Sequence, residues 1–154
     1  MRIVLFEPEI PPNTGNIARL CAATKTPLHL IEPLGFSVDN KHLKRAGLDY
    51  WPHVDVTVHP NFAEFMNRVQ PPRLVMASAK AATPHHRFEF MADDAIVLGP
   101  ETRGLTPEFM KGYPQIRIPI WGKVRSLNLS TATGILLFEA LRQTDGIMED
   151  ISIS

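Results

Sequence analysis

Residues 2–19 read RIVLFEPEIPPNTGNIAR, an apolar run followed by a loop rich in proline, asparagine and glycine. The run at residues 2–6 is typical of a buried strand. Asn13 or Thr14 can cap a helix that continues to about Lys25, because apolar residues recur there at helical spacing. The opening of the chain therefore predicts a strand, a long loop and a helix.

The alternation of strands and helices continues along the rest of the chain. Further strands are predicted at residues 28–31, 54–58, 74–78, 95–98 and 115–118. Helices are predicted from Asp39 or Asn40 to Ala46, from Asn61 to about Val69, from Thr106, and from Asn128 or Ser130 to about Thr144. This pattern favours an α/β fold, a parallel sheet flanked by helices on both faces. Ligands bind such sheets at the carboxyl ends of the strands.

Length and composition fit a single domain that spans residues 1–154. Apolar residues make up 44% of the chain and charged residues 21%, which excludes disordered and fibrous classes. No apolar run is long enough for a membrane span, so no membrane partner is expected. Cys21 is the only cysteine, which excludes an intrachain disulfide and favours a cytoplasmic location. The 16 basic and 16 acidic residues cancel, so a polyanion would bind at a local basic patch.

Three loops that follow strands differ from ordinary connections. They are EPEIPPNTGNIAR at residues 7–19, GPETRGL at residues 99–105 and PIWGKVRSLNLS at residues 119–130. None contains the G-x-x-x-x-G-K-[ST] phosphate loop or the G-x-G-x-x-G dinucleotide motif. No histidine or cysteine cluster has metal-ligand spacing, so no metal is expected.

The first loop has the spacing N-x-G-x-x-x-R, formed by Asn13, Gly15 and Arg19. Backbone amides at a helix start favour an anion, and Arg19 would add a planar cation one turn further along. The simpler alternative is a helix cap followed by a surface arginine. Spacing alone leaves both interpretations open.

The second and third loops also allow more than one interpretation. Glu101 could contact a ligand, cap the amides of residues 104–105, or pair with Arg103. Ser126 and Asn128 alternate with two leucines, so an extended segment would point both polar side chains to one side. They could line a pocket, or Asn128 could only cap the last helix.

Taken together, the three loops resemble those of the SPOUT class of S-adenosylmethionine-dependent RNA methyltransferases. The resemblance rests on N-x-G-x-x-x-R at residues 13–19, GPETRGL at residues 99–105, and I-P-I followed by S-L-N-L-S at residues 118–130. The length and the opening IVLFEPEIPPNTGNIARLCAAT are similar to the minimal single-domain branch, the TrmL-like tRNA (cytidine/uridine-34) 2′-O-methyltransferase family. The resemblance extends from about residue 3 to residue 142.

The resemblance implies an α/β fold of SPOUT type with a deep trefoil knot near the C-terminus. It implies methyl transfer from S-adenosyl-L-methionine to the ribose 2′-hydroxyl of nucleotide 34 in the tRNA anticodon loop, by a homodimer that completes each site across its interface. By motif position, the residues linked to catalysis are Arg19, Ser126, Asn128 and Glu101. The implied methyl-donor contacts are Ala77, Gly99, Ile118, Ser126 and Leu127.

The candidate RNA contacts are motif residues and loop or helix cations, namely Asn13, Arg19, Lys41, Arg45, Arg103 and Arg125. Lys41 and Arg45 lie one turn apart on the predicted short helix. Bases of the anticodon loop could stack on Tyr50, Trp51 or Trp121. Each cation could equally be an ordinary solvated charge.

Three other functions remain open from the sequence. One is a 2′-O-methyltransferase that acts on another tRNA or rRNA position. The second is a non-catalytic RNA-binding module of the same fold, against which the intact Arg19, Glu101, Ser126 and Asn128 argue. The third is a small-molecule enzyme of the doubly wound class, which the missing nucleotide motifs disfavour. The preferred function requires the three loops to converge in one crevice.

Overall fold

The computed structural model describes residues 1–38 and 51–149. Within these ranges one sheet contains β1 Arg2–Phe6, β2 Leu28–Ile31, β3 Val56–His59, β4 Arg73–Ala77, β5 Thr83–Pro84, β6 Asp94–Leu98 and β7 Gln115–Arg117. The helices are α1 Pro11–Thr24, α2 Phe62–Val69, α3 Pro107–Met110 and α4 Leu129–Gln143, with 3-10 turns at Trp51–His53 and His85–Arg87. The predicted helix to Ala46 and the candidate RNA contacts Lys41, Arg45 and Tyr50 lie outside the described residues.

The sheet is parallel throughout, in the order β3-β2-β1-β6-β4-β7-β5. The side chains of β1 point alternately to its two faces. Ile3 and Leu5 join a core cluster with residues of α1 and α4, whereas Val4 joins a second cluster with Phe65 of α2. All of these side chains are fully buried, and each contributes about 1.5–3 kcal/mol of hydrophobic stabilisation. The predicted α/β sheet with helices on both faces is confirmed.

Three of the predicted helix caps are confirmed. The Asn61 side chain accepts a hydrogen bond from the Glu64 amide at the start of α2, and Thr106 accepts one from the Phe109 amide at the start of α3. Asn128, not Ser130, is the N-cap of α4. Such caps pair amides that the helix itself leaves without a partner.

The start of α1 differs from the prediction. The helix begins at Pro11, and its N-cap residue, Ile10, makes no side-chain cap hydrogen bond. Asn13 and Thr14 therefore lie inside the first turn, and the prediction that one of them caps the helix is wrong. Proline is favoured at the first helical position, because its missing N–H would have no helical partner there.

The strand bounds move by one or two residues. β3 begins at Val56 rather than Val54, since the Val54 amide donates to the Trp51 carbonyl and closes the preceding turn. β5 is not predicted by the sequence pattern, because its two residues carry no periodicity. Neither change alters the order of the elements.

The strand order determines where a site can form. β6, β4 and β7 are neighbours, so the loops that follow them leave the sheet along one edge. β1 lies on the other side of β6, which brings residues 7–10 to the same edge. The helices of the described ranges include none that is long and apolar enough to span a membrane.

Candidate functional site

A cavity of about 1030 Å³ opens at the carboxyl ends of β4, β6 and β7. Residues from all three loops of interest line it, together with the loop after β4. The predicted site residues that line it are Asn13, Ala77, Gly99, Glu101, Arg103, Ile118, Arg125, Ser126, Leu127 and Asn128. Arg19 lies further along α1 with an exposed side chain and does not line the cavity of its own chain.

The loop after β6 folds back on itself at Gly99. A Cβ atom there would lie 2.5 Å from the Leu105 nitrogen and 2.6 Å from the Gly104 carbonyl carbon. Gly104 has a φ of +66° and its amide donates to the Pro100 carbonyl at 2.8 Å, which closes the turn. The main chain of residues 104–105 therefore packs against Gly99 and leaves no room for a side chain at that position.

The Glu101 carboxylate connects the second loop to the first. It accepts hydrogen bonds from the backbone amides of Glu9 at 2.8 Å and Ile10 at 3.2 Å. In return, the Glu9 carboxylate accepts from the amide and hydroxyl of Thr102, at 3.1 and 2.7 Å, and these bonds lower the pKa of Glu9. We call this reciprocal set of Glu9, Ile10, Glu101 and Thr102 the carboxylate latch.

Two of the three interpretations of Glu101 are wrong. Its carboxylate does not cap residues 104–105, because the Gly104 amide is taken by a backbone carbonyl. It does not pair with Arg103 either, since the Arg103 guanidinium donates to the carboxylate of Glu7. The carboxylate faces the cavity while both of its oxygens hold the first loop.

The start of α1 does not offer the anion site that is one of the two interpretations of the first loop. Its first two residues are prolines without N–H groups, and the next two amides donate to the Ile10 carbonyl at 3.1 and 3.3 Å. The preceding amides, of Glu9 and Ile10, bind Glu101. The anion beside this helix start is therefore the protein's own carboxylate, and the interpretation that combines helix amides with Arg19 is wrong.

A second connection joins the first loop to the third. The Asn128 Nδ2 donates to the Asn13 Oδ1 at 3.0 Å, and Asn13 is only 6% exposed. The Asn128 Oδ1 accepts from the amides of Ser130 and Thr131 at 2.9 and 3.3 Å. Asn128 therefore caps α4 and also lines the cavity, so the interpretation that it only caps the helix is wrong.

The charges that line the cavity are unbalanced although the chain is neutral. Four basic residues, Lys80, Arg103, Arg117 and Arg125, face one acidic residue, Glu101. Sequence reasoning missed Lys80 and Arg117, although both lie at or just after the end of a predicted strand, the position that marks ligand sites in parallel sheets. The local basic patch that a polyanion would need is present.

Nothing in the described ranges resembles a metal centre. No group of three or more His, Cys, Asp or Glu side chains there could hold an ion. Cys21 is buried in the core, and burial raises the pKa of its thiol to about 12, so it is not a thiolate nucleophile at neutral pH.

Comparisons with known proteins point in one direction. The model of the SpoU rRNA Methylase family matches residues 1–138. A tRNA (cytidine(34)-2′-O)-methyltransferase from Aeromonas hydrophila is 49% identical over 144 residues, 92% of each chain. A structure described as giving insights into the 2-OH methylation of C/U34 on tRNA superposes with a TM-score of 0.87 at 46% identity, covering 95% of this chain and 97% of that one.

A more distant structure shares the fold. The SpoU methyltransferase AviRb from Streptomyces viridochromogenes, in complex with AdoMet, has a TM-score of 0.79 at 23% identity, over 93% of this chain and 60% of that one. The resemblance drawn from the three loops is confirmed by the first two relatives and the family match. The chain belongs to the SpoU rRNA Methylase family and groups there with the tRNA (cytidine(34)-2′-O)-methyltransferases.

Proposed function

We propose that this protein transfers a methyl group from S-adenosyl-L-methionine to the ribose 2′-hydroxyl of the wobble nucleotide, cytidine or a modified uridine at position 34 of tRNA. The observation that carries the proposal is the junction of three distant loops around one cavity, through Glu101 and Asn128. Relatives named for this reaction match more than nine-tenths of the chain, which supports the same substrate.

The cavity suits the methyl donor. Its volume is at the upper end of the roughly 300–1,000 Å³ typical of small-molecule sites. Buried Leu98, Leu105 and Leu136 offer an apolar surface to a flat base, and the main chain of the loop after β6 offers polar groups. The fold relative AviRb was crystallised with this donor. The residues assigned to hold it are Ala77, Gly99, Ile118, Ser126 and Leu127, and when bound it supplies an electrophilic methyl group.

The remaining polar residues act on the RNA. The hydrogen bonds that Asn128 makes as the N-cap of α4 and to Asn13 fix its side chain. It can therefore orient a ribose with little reorganisation, and Ser126 lies beside it. Arg103 and Arg125 bind phosphates at the cavity. Lys41 and Arg45, which lie outside the described residues, are proposed as further phosphate contacts. Glu101 acts as a positioning residue through the carboxylate latch.

Arg19 acts as an electrostatic group and not as a base, because a guanidinium stays protonated in proteins. It holds the substrate phosphate or stabilises the negative charge that develops on the attacking oxygen. The proton of the hydroxyl then leaves to a phosphate oxygen or to water.

A homodimer accounts for the position of Arg19. Because Arg19 does not line the cavity of its own chain, a second copy is needed to bring it there. α4, which packs against α1, leaves Ile135 37% and Phe138 47% exposed, and Ile10 before α1 is 40% exposed. An apolar surface of this kind is suited to contact between copies.

The fold of one domain, residues 1–154, is proposed to include a deep trefoil knot. β7 follows β6 in the chain but is inserted between β4 and the earlier β5. The segment that leaves β7 therefore continues beside the loop that connects β4 to β5, an arrangement suited to threading. Because its substrate would be tRNA under maturation, the protein is proposed to work in the cytoplasm.

The test is methyl transfer from radiolabelled donor to tRNA transcripts by the purified protein. We expect transfer to a tRNA with cytidine 34 and no transfer when that nucleotide carries a 2′-deoxy sugar. The control is a 2′-deoxy sugar at position 33 or 35, which should leave transfer intact. Transfer to another position would indicate a different RNA target, and donor binding without any transfer would indicate a non-catalytic module.

A further inference from the structure

The loop between β7 and α4 is fixed at both ends and exposed in the middle. Ile118 and Ile120 are half-buried and line the cavity at one end. At the other end Leu127 is half-buried and Asn128 is hydrogen-bonded to Asn13. All six residues 121–126 between these ends are exposed. We call residues 121–126 the projecting segment.

The projecting segment exposes two large apolar side chains at the mouth of the cavity. Trp121 is 94% exposed and Val124 is 61% exposed. An indole in water forgoes the burial that normally stabilises such a side chain, so adjacent exposed apolar groups mark a binding surface. Ile120 and Arg125, close to Trp121 in the chain, both line the cavity. A group that contacts Trp121 therefore lies next to a ligand bound in the cavity.

The charges around Trp121 define the occupant. Lys123 and Arg125 lie on the same segment with exposed side chains, and Lys80 and Arg117 line the cavity behind it. A partner that offers a flat apolar face joined to negative charge matches this surface. An unpaired nucleotide has both, since its base stacks on aromatic rings and its phosphate pairs with cations.

We propose that Trp121 is a stacking platform for an unpaired base of the RNA substrate, adjacent to the nucleotide whose ribose enters the cavity. Lys123 and Arg125 bind the phosphates on either side of that base. The inference rests on the proposed function and makes Trp121 a positioning residue for the RNA, with no part in holding the methyl donor. Trp51 does not serve this purpose, because it packs against the core.

The first experiment measures steady-state kinetics of Trp121→Ala with a tRNA anticodon stem-loop, and donor affinity by calorimetry without RNA. We expect the KM for RNA to rise about 5- to 150-fold, the range that corresponds to the loss of one stacked base. The donor Kd should stay unchanged. Trp121→Phe, which keeps a ring, should recover most of the loss.

The matched control is Met91→Ala, which removes another exposed apolar side chain, 58% exposed, at the amino end of β6. It should leave both constants unchanged. A donor Kd that rises in Trp121→Ala as much as the KM for RNA would overturn the proposal, because the indole would then cover the donor. Dissociation of the dimer by Trp121→Ala in sedimentation would overturn it as well, because the indole would then hold a second copy.

The second experiment uses the fluorescence of Trp121 in a Trp51→Phe background, where Trp121 is the only tryptophan. Titration with the stem-loop should quench the emission, and an abasic nucleotide at one anticodon-loop position should abolish the quenching. Equal quenching by every abasic stem-loop would contradict stacking. This titration needs no methyl transfer, so it tests the stacking separately from the proposed function. A wild-type protein that fails to methylate nucleotide 34 would refute the proposed function, and the titration would still test the stacking.

Discussion

Two carboxylates bracket strand β6, Asp94 at its start and Glu101 in the loop beyond its end. Asp94 accepts two hydrogen bonds from the Arg73 guanidinium, at 2.7 and 2.6 Å, and one from the Met91 amide. Among the described residues, Glu101 accepts from main-chain amides of a loop more than 90 residues earlier in the sequence. The first carboxylate ties neighbouring strands together, and the second ties loops together.

The difference between the two carboxylates predicts separate effects on stability and on function. Asp94 is fully buried, and its partner Arg73 also packs over the Phe88 ring at 4.9 Å. Neither Arg73 nor Asp94 lines the cavity. Glu101 is partly exposed, faces the cavity and fixes the entry to α1. We therefore expect changes at Asp94 to affect unfolding and changes at Glu101 to affect turnover.

The largest effect is expected for Asp94→Ala. Removing the carboxylate leaves the Arg73 guanidinium and the Met91 amide without their partner, which should lower the free energy of unfolding by about 3 kcal/mol. Chemical denaturation measures the change. Arg142→Ala, which breaks an exposed ion pair with Glu139, is the control and should lower it by less than about 1 kcal/mol. Equal losses of stability in the two variants would contradict the prediction that Asp94 contributes more to stability than an exposed ion pair does.

The next effect is expected for Arg19→Ala. Loss of one electrostatic group that stabilises developing charge should lower kcat about 100-fold or more, with the donor Kd near that of the wild type. Single-turnover assays and calorimetry measure the two quantities. Arg19→Lys keeps the charge but loses the planar fork and should recover only part of the rate. Turnover like that of the wild type would remove Arg19 from the mechanism.

A smaller effect is expected for Glu101→Gln. The amide keeps one acceptor but loses the charge and one of two hydrogen bonds, which should lower kcat/KM about tenfold. The free energy of unfolding should change much less than in Asp94→Ala. Thr102→Val, which removes one bond to Glu9, should lower kcat/KM in the same direction but less. A Glu101→Gln variant that is strongly destabilised but keeps full activity would contradict the prediction, because Glu101 would then affect stability and not turnover.

The buried pair of His29 and His59 predicts how the stability of the protein depends on pH. Their ring nitrogens lie 3.0 Å apart in the buried interior, and burial together with His59 lowers the pKa of His29 to about 4. The unfolded chain takes up this proton near pH 6.5, so stability should fall by about 1–2 kcal/mol as the pH drops from 7.5 to 5. Thermal unfolding at both pH values measures the slope. The slope should be shallower in His29→Gln, and an unchanged slope would rule His29 out as its source.

The smallest effect is expected for Asn13→Ala. It removes the hydrogen bond to Asn128 but leaves the cap of α4 in place, so stability should fall by about 1 kcal/mol. Asn128→Ser keeps a capping oxygen and also loses the bond, whereas Asn128→Ala loses both. The free energy of unfolding and kcat, measured on all three variants, separate the effect of the cap from that of the hydrogen bond between Asn13 and Asn128. Loss of activity in Asn128→Ala alone would show that only the cap matters.

The sequence predicts what depends on nearby residues. Apolar runs mark the strands, and the caps Asn61 and Thr106 mark helix starts, because their hydrogen bonds span three residues. The sequence pattern alone places the start of α1 wrongly, since Pro11 outweighs Asn13 as a start signal. The partners of the site residues are harder, because the bond from Asn128 to Asn13 joins residues 115 positions apart.

The close packing of main-chain atoms around Gly99 restricts any redesign of the proposed donor site. Main-chain atoms within 2.6 Å of a Cβ at Gly99 leave no room for a side chain at this position. Under the proposed function, bulkier sulfonium analogues would need space elsewhere in the cavity lining, at side chains that can be shortened, such as Ile118 or Leu127. A randomised library aimed at such analogues should therefore vary those two positions and keep Gly99.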